Sequence, residues 1–447
     1  MLDSLKHRGS SRWLEHLNQD SSGVALGCTS HDEAFHEIAR TRDTLTAFNG
    51  SFYERRPSPN ARHVLHLVNR YSIPESSREL THEIGGFAGL IGRTPYICGF
   101  RDVNGLKPLY YMQSSDLTAF ASERKALWRI GLKDPRPVPP GSAVLITAKG
   151  TKTFHTAKFS RPREKQITFQ QASSTLNRLL STSIRRITRR AGRVCVAFSG
   201  GLDSALTAAM AKKAGVEVEA ISVGLTNSPE TLTAEQLARK LGLKITLQTF
   251  SPDLVEEYVR RLLWLIEEPN MMKLSVAIPL HWAAMVAARR GNNVMLCGQG
   301  SDELYGGYNK YANTLRLKGR KALSDQLYNS VIESSTVNYE RDDHATSIFP
   351  VELRTPFADP DLIKFSLTIP SVFKVKDEND LMRKWILRDV ARRVGLPEEI
   401  VWRRKKAIQH GTGVEKAILK LAKNRGLKPE EYLTRTFQNV STMESMP

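Results

Sequence analysis

The chain has 447 residues, 40% of them apolar and 25% charged, with a formal net charge of +19. That length and composition suit two or three domains with a core in each and exclude a fibrous or disordered chain. No apolar run approaches the roughly 20 residues of a membrane span, the opening MLDSLKHRG is charged where an export leader is apolar, and Cys28, Cys98, Cys195 and Cys297 lack paired spacing, so a soluble, cytoplasmic protein with reduced core cysteines is expected.

Residues 1–155 hold short β-like runs punctuated by glycine and proline, among them HVLHLVNRY, GGFAGLIG, PYICGFRD, PLYYMQ and SAVLITAKG. KFSRPREKQI then reads as a charged linker. From Thr168 the texture becomes helix to Arg190, strand VCVAF, helix SALTAAMAKKAG, strand VEVEAISVG, helix SPETLTAEQLARKLG, strand KITLQTF, a long helical stretch, and the apolar strand NVMLCG. Strands alternating with helices imply βαβ units and a parallel sheet covered on both faces. This predicts domains at 1–155 and 168–425, followed by a tail, 426–447, with a weak helix KPEEYLTRTF and disorder beyond it. Basic clusters at Arg185–Arg193, Arg316–Lys321 and Arg403–Lys406 come without zinc spacing or an RNA-binding signature. The first two read as solvated helix faces, and nucleic acid is not an expected partner.

The stretch RVCVAFSGGLDSALTAAM puts an apolar strand directly before Ser199, Gly200, Gly201, Asp203 and Ser204 and the start of a helix. In a parallel sheet that junction lies at the strand's carboxyl end, where ligands bind. Two glycines let backbone N–H groups approach an anion while the helix N-terminus favours negative charge. Phosphate is the natural guest, with Ser199 and Ser204 as hydroxyl donors and Asp203 as a carboxylate for Mg2+. The pattern is not the GxxxxGK[ST] loop, so γ-phosphate cleavage is not what it suggests.

SGGLDS resembles the pyrophosphate loop of enzymes that split ATP between the α and β phosphates and adenylate a substrate. Three further stretches narrow the resemblance to the asparagine synthetase family. LCGQGSDELYGGYNKY resembles its GEG(A/S)DELFGGY turn, with Gln299 where the family commonly has Glu. RDDHATSIFPVELRTPFADPDLIKF resembles its RxD and VEARVPFLD elements, with Ala358 for Leu. LMRKWILRDVARRVGLPEEIVWRRKKAIQHGTG resembles its KxxLR, LPxxI and WRxK elements at Lys384, Arg388, Leu396, Pro397, Ile400 and Lys405. The resemblance implies a mixed α/β and α+β chain: an αββα Ntn-hydrolase-like sandwich, then a parallel-sheet PP-loop domain of the adenine-nucleotide α-hydrolase kind with a helical C-terminal extension. It implies nucleotide binding by Ser199, Gly200, Gly201, Asp203, Ser204, Val223, Gly298, Gly300 and Ser301, Mg2+ at Asp203 and Asp302, a charge clamp of Lys384 and Lys405, and Glu352 as the base that takes the ammonia proton. The implied substrates are ATP, aspartate and ammonia, and a homodimer is the expected assembly.

In the amino-terminal part, HRG (7–9), FNGSFY (48–53), GGFAGLI (85–91), RDVNGLKPLYY (101–111), SERKAL (122–127) and PPG (139–141) resemble the family's glutaminase domain. That domain's nucleophile is a cysteine at the second position, and here Leu2 stands there; a start codon assigned too late is one explanation. Ser30 falls where the family has the arginine that grips the glutamine carboxylate, and NARH replaces its acidic amine-binding SDTE. Without these groups, loss of glutaminase activity is expected, with ammonia coming from solution or a partner glutaminase. Two other readings stay open: a β-lactam-synthetase-like ligase on another carboxylate, and a non-catalytic basic regulatory or RNA-associated paralogue.

Overall fold

The punctuated apolar runs of the first 155 residues fold as strands, because each fills the faces of a pleat and then meets glycine, proline or a polar turn. In the computed structural model, which describes residues 1–19, 22–32, 36–54, 59–405 and 408–443, they are β1 (Ser11–Gln19), β2 (Ser22–Ser30), β3 (Ile38–Arg40), β4 (Leu45–Phe52), β5 (Gly85–Arg93), β6 (Tyr96–Arg101), β7 (Tyr110–Gln113), β8 (Thr118–Ala121), β9 (Arg136–Pro137), β10 (Ser142–Thr147) and β11 (Gly150–His155). Antiparallel pairing builds a six-stranded sheet, β11-β10-β6-β5-β4-β3, a three-stranded sheet, β8-β7-β9, and the hairpin β1-β2. Helices Asn60–Arg70 and Ile73–His82 bury Val64, Val68 and Leu80 against Phe52, Phe87 and Phe100 of the large sheet. Ala88, Val144 and Ile146 pack with Leu109 and Phe120, and Ala119 and Ala121 face the helix Arg124–Trp128. The alternation along β8 thus places one sheet between the other and a helix, giving the expected αββα layering.

The HRG, SERKAL and RDVNG motifs of this unit make buried polar contacts. Glu123 accepts from His7 Nε2 at 2.8 Å and from Arg8 and Lys125. Asp102 accepts from the N–H groups of Phe87, Asn104 and Leu106, while Arg101 donates to the carbonyls of Gly105, Lys107 and Val138.

The second unit comprises 160–346 and 351–440; the first comprises 1–159 with 347–350 and the stretch from Ser441. Its strands β12 (Arg193–Ala197), β13 (Glu217–Leu225), β14 (Lys244–Phe250), β15 (Val294–Leu296) and β16 (Glu352–Arg354) form one parallel sheet in the order β14-β13-β12-β15-β16. Strand order reverses at β12, so helices formed before and after the reversal lie on opposite faces, and the crevice at the carboxyl end of β12 becomes the ligand position. Leu202–Lys213, Phe169–Thr188 and Trp385–Val394 pack together on one side, and Val255–Ile266 with Met271–Arg289 on the other.

Three expectations change here. Met271–Arg289 continues through Pro279 as one helix that is long and apolar enough, by length and composition alone, to cross a membrane; it is instead a core helix with Leu274, Ile278, Trp282 and Val286 buried. The charged segment before Phe169 is pinned to the second unit: Lys165 N–H donates to Thr368 O at 2.8 Å and Glu164 accepts from Ser371 N–H at 3.0 Å. The weak C-terminal helix runs Pro429–Ser441 and buries Tyr432, Leu433 and Val440, so no separate tail begins at 426; 444–447 lie outside the described residues.

Beneath the sheet, Glu219 on β13 is buried and accepts from Arg193, Thr246 (2.7 Å), Arg290 (3.1 Å) and Asn292 (3.2 Å). Burial opposes its charge, but these donors bring its carboxyl down to about 2. A depressed folded pKa stabilises above the unfolded value and is lost as pH falls through the folded one. In acid titration followed by circular dichroism, Glu219→Gln is expected to lower stability at pH 7 and to flatten the stability loss between about pH 4.5 and 2.

Candidate active site

β12 delivers the chain to Phe198, and Ser199–Gly201 turns it into the helix Leu202–Lys213. Gly200 takes φ 68°, a left-handed conformation in which a side chain is strained. Ser204 Oγ accepts from Ser199 N–H at 3.2 Å, and Ser199 Oγ accepts from Gly201 N–H at 3.3 Å. The two serines therefore shape the loop from within, and Asp203 sits in the first helical turn beside it.

β15 ends at the neighbouring position, followed by Gly298–Gly300 and the short helix Ser301–Tyr305 carrying Asp302. A Cβ on Gly298 would lie 2.7 Å from Asp203 Cβ, so only glycine lets the two loops touch. Lys384 Nζ stands 2.6 Å from Asp203 Oδ1, 2.6 Å from Asp302 Oδ1 and 2.7 Å from Ser301 Oγ. Lys405 Nζ is 2.7 Å from Asp302 Oδ2 and 3.9 Å from Asp203 Oδ2. Two carboxylates and two ammonium groups thus form one tetrad, buried at Lys384 and Asp302 and half-buried at Asp203 and Lys405. Burial would raise Asp302, but Lys384 and Lys405 pull its carboxyl well below the usual carboxylate range; burial would lower Lys405, but Asp302 and Asp203 push it well above the usual lysine range.

The backbone around Lys384 is strained to reach this point. Arg383 and Lys384 have φ 51° and 55°, a cost of order 1–3 kcal/mol each that the surroundings must offset. Asp380 fixes the turn by accepting from the N–H groups of Met382 (2.9 Å) and Arg383 (2.8 Å) and from Trp385 Nε1 (2.8 Å). Arg388, 2% exposed, donates to the carbonyls of Met382 (2.5 Å), Arg383 (2.7 Å), Val401 and Arg403 (3.3 Å). One guanidinium therefore ties the Lys384 turn to the segment carrying Lys405.

A cavity opens beside the tetrad over the ends of β12 and β13. Ile221, Val223, Leu280 and Ala283 line an apolar part; Ser199, Gly201 and Asp203 line the loop side; Arg403, Arg404 and Lys405 bring positive charge. An apolar wall next to a cationic one suits a heterocycle joined to phosphates. Of the residues expected from sequence, Ser199, Gly201, Asp203, Val223, Lys384 and Lys405 line this cavity. Gly200 and Ser204 shape the loop, and Gly298, Gly300, Ser301 and Asp302 stand behind it as support for the tetrad.

Glu352 does not line this cavity. It begins β16 opposite Val294, at the amino end of the parallel sheet, and pairs with Arg354 Nη2 at 2.5 Å. Arg388, Asp380 and Gly307 were missed as supports. The double glycine of LYGGY was the available signal for the last: a Cβ on Gly307 would meet Asp302 Oδ1 at 1.8 Å and Lys384 Cε at 2.4 Å. Gly307→Ala is expected to keep the fold but lower activity about a hundredfold, measured as pyrophosphate release, by pushing the tetrad apart.

The asparagine synthase family model matches residues 175–339 and 316–439, more than half of the chain. A Methanocaldococcus jannaschii protein provisionally named asparagine synthetase 1, glutamine-hydrolyzing, is 34% identical over 372 residues, 73% of this chain and 68% of that one. The chain belongs to the asparagine synthase family. This asparagine synthase family member is also similar to a probable glutamine-hydrolyzing asparagine synthetase of Schizosaccharomyces pombe, 27% identical across 70% of this chain and 60% of that one. Asparagine synthetase 2 of Arabidopsis thaliana is 23% identical across 90% of this chain and 75% of that one. The chain thus spans between 60% and 75% of the length of these three relatives. The family is one of ATP-dependent carbon-nitrogen ligases, and the tetrad lies inside the matched residues.

Proposed function

We propose that this protein adenylates aspartate with ATP, releasing pyrophosphate, and then amidates the acyl-adenylate with free ammonia. The observation that carries the reading is the tetrad at the end of β12, two carboxylates and two lysines beside a cavity with an apolar wall and a cationic one. Adenylation gathers negative charge on the α-phosphate and the departing pyrophosphate. Lys384, Lys405 and the loop N–H groups would stabilise that charge.

Mg2+ suits the same place: the Lys384 ammonium lies 2.6 Å from one oxygen of each aspartate, so one cation centre can bridge the pair, and two hard carboxylates plus phosphate oxygens are the usual magnesium donors. Asp203 and Asp302 would hold the ion, which supplies charge neutralisation at the leaving pyrophosphate.

Ammonia rather than glutamine is favoured by the first unit. Burial raises its described thiols, Cys28 to about 11 and Cys98 to about 12, so neither is poised as a nucleophile. Asn60 and Ala61, in the NARH stretch, are engaged with Glu37: Asn60 Nδ2 donates to Oε1 at 2.8 Å and Ala61 N–H to Oε2 at 2.8 Å, capping the helix. With ATP, Mg2+, aspartate and ammonium, the protein is expected to release AMP, pyrophosphate and asparagine in equal amounts, with glutamine unable to replace ammonium. Pyrophosphate release with other carboxylates alone would move the reading to a related ligase. Asp203→Asn should abolish turnover; a fully active variant would end the proposal.

A further inference from the structure

Lys374 is a buried cation that the tetrad does not use. It is 2% exposed, donates to Ser366 O at 2.7 Å and has no carboxylate within ion-pair distance among the described residues. A buried ammonium without a counter-ion is costly, so its surroundings deserve the explanation. Lys374 lines a cavity of about 470 Å³ that shares no lining residue with the nucleotide cavity. The basic cluster at 316–321, read from sequence as a solvated face, contributes to its wall. Helix Asn309–Ser334 breaks at Gly319 (φ 77°, ψ −179°), and Arg320 and Lys321, directly after the break, line the cavity. The pinned segment before the first helix of the unit supplies Arg161, Arg163 and Glu164.

These groups are unequally satisfied. Arg161 pairs with Asp325, and Arg320 donates to Val375 O at 2.9 Å and to Lys376 O. Glu164, the one carboxylate on the wall, already accepts from Ser324 Oγ at 2.7 Å and Ser371 N–H at 3.0 Å. Arg163 and Lys321 have no partner among the described residues. With Arg161 matched by Asp325, four cations, Lys374 buried and Arg163, Arg320 and Lys321 exposed at the rim, face one committed carboxylate in a concave site, an excess that suits a multiply charged anion. A guanidinium fork beside point-charge ammonium groups matches phosphoryl oxygens.

We propose that this cavity is a second anion site, binding a small phosphoryl-bearing ligand through Lys374, Arg163 and Lys321. The titration of Lys374 agrees with it. Burial brings its ammonium down to about 7, Glu164 being the charge that opposes the fall, while Arg161, Arg163, Arg320 and Lys321 on the other elements of the wall are all positive. An arriving anion would restore the missing charge and draw a proton onto Lys374.

The test is titration calorimetry on the full chain saturated with α,β-methylene ATP, using inorganic pyrophosphate in one arm and glycerol 3-phosphate in the other; the stronger arm tells a free polyphosphate from a phosphate ester. The parent should show one further binding event whose heat depends on the buffer's ionisation enthalpy, reporting proton uptake. In Arg163→Ala/Lys321→Ala, whose changes are at exposed positions, the event should weaken at least tenfold. Lys374→Met should lose it while melting at the same or a higher temperature, since an unpaired buried cation is gone. No further event in the parent, or an unchanged one in the double variant, overturns the proposal. The comparison of parent with double variant stands whether or not the nucleotide reading of the first cavity holds.

Discussion

Lys384→Met is expected to reduce pyrophosphate release by about 10²- to 10³-fold, the effect of deleting one charge-stabilising donor from a preorganised site. The loss should be larger in kcat than in KM, because the ammonium meets its greatest charge as pyrophosphate departs. The same change leaves Asp203 and Asp302 facing each other across the gap that Lys384 Nζ fills at 2.6 Å from each. Removing one partner of a buried ion pair costs roughly 3–5 kcal/mol; the lower end applies here, because the adjoining cavity admits water. A variant with unchanged melting temperature and activity within a factor of three of the parent would show that the tetrad has no part in the reaction.

Arg388→Met should be the more damaging change to the fold. The buried guanidinium donates to carbonyls of Met382, Arg383, Val401 and Arg403, and methionine leaves all four acceptors without it. Each buried unsatisfied group costs about 1–3 kcal/mol, and the bonds to Arg383 and Val401 are buried while those to Met382 and Arg403 are part-buried, so a loss of roughly 2 kcal/mol or more is expected, with the melting temperature as readout. Arg388→Lys keeps the charge but cannot span two segments with one planar fork. It should therefore fold better than the methionine variant while still losing activity, because the turns bearing Lys384 and Lys405 are no longer tied together. Equal activity in Arg388→Lys and the parent would reduce Arg388 to a packing role.

The sequence revealed the parallel sheet and its ligand loop because strand, glycine turn and helix start are local patterns. SGGLDS declares its own geometry. The partnership of Asp203 with Lys384 was open only to resemblance, since the two are brought together by the packing of Trp385–Val394 against Leu202–Lys213. Glu352 pairs with Arg354, two residues along the same strand, which is a local contact. Helix Pro429–Ser441 was underestimated because its apolar residues are few, but Tyr432, Leu433 and Val440 are buried by tertiary packing, which outweighs a weak local propensity. Lys374 gave no signal at all, because a lysine's burial is decided by what folds over it.

The two acids of the tetrad stand in the first turns of helices complete by residue 305, whereas both of its lysines arrive between 384 and 405, held by Arg388. A ribosome would thus have exposed the whole parallel sheet before the cations that neutralise those acids left the exit tunnel. Until then the nascent protein carries Asp203 and Asp302 without the lysines that neutralise them. The charge balance of this cluster is consequently among the last properties to emerge during synthesis.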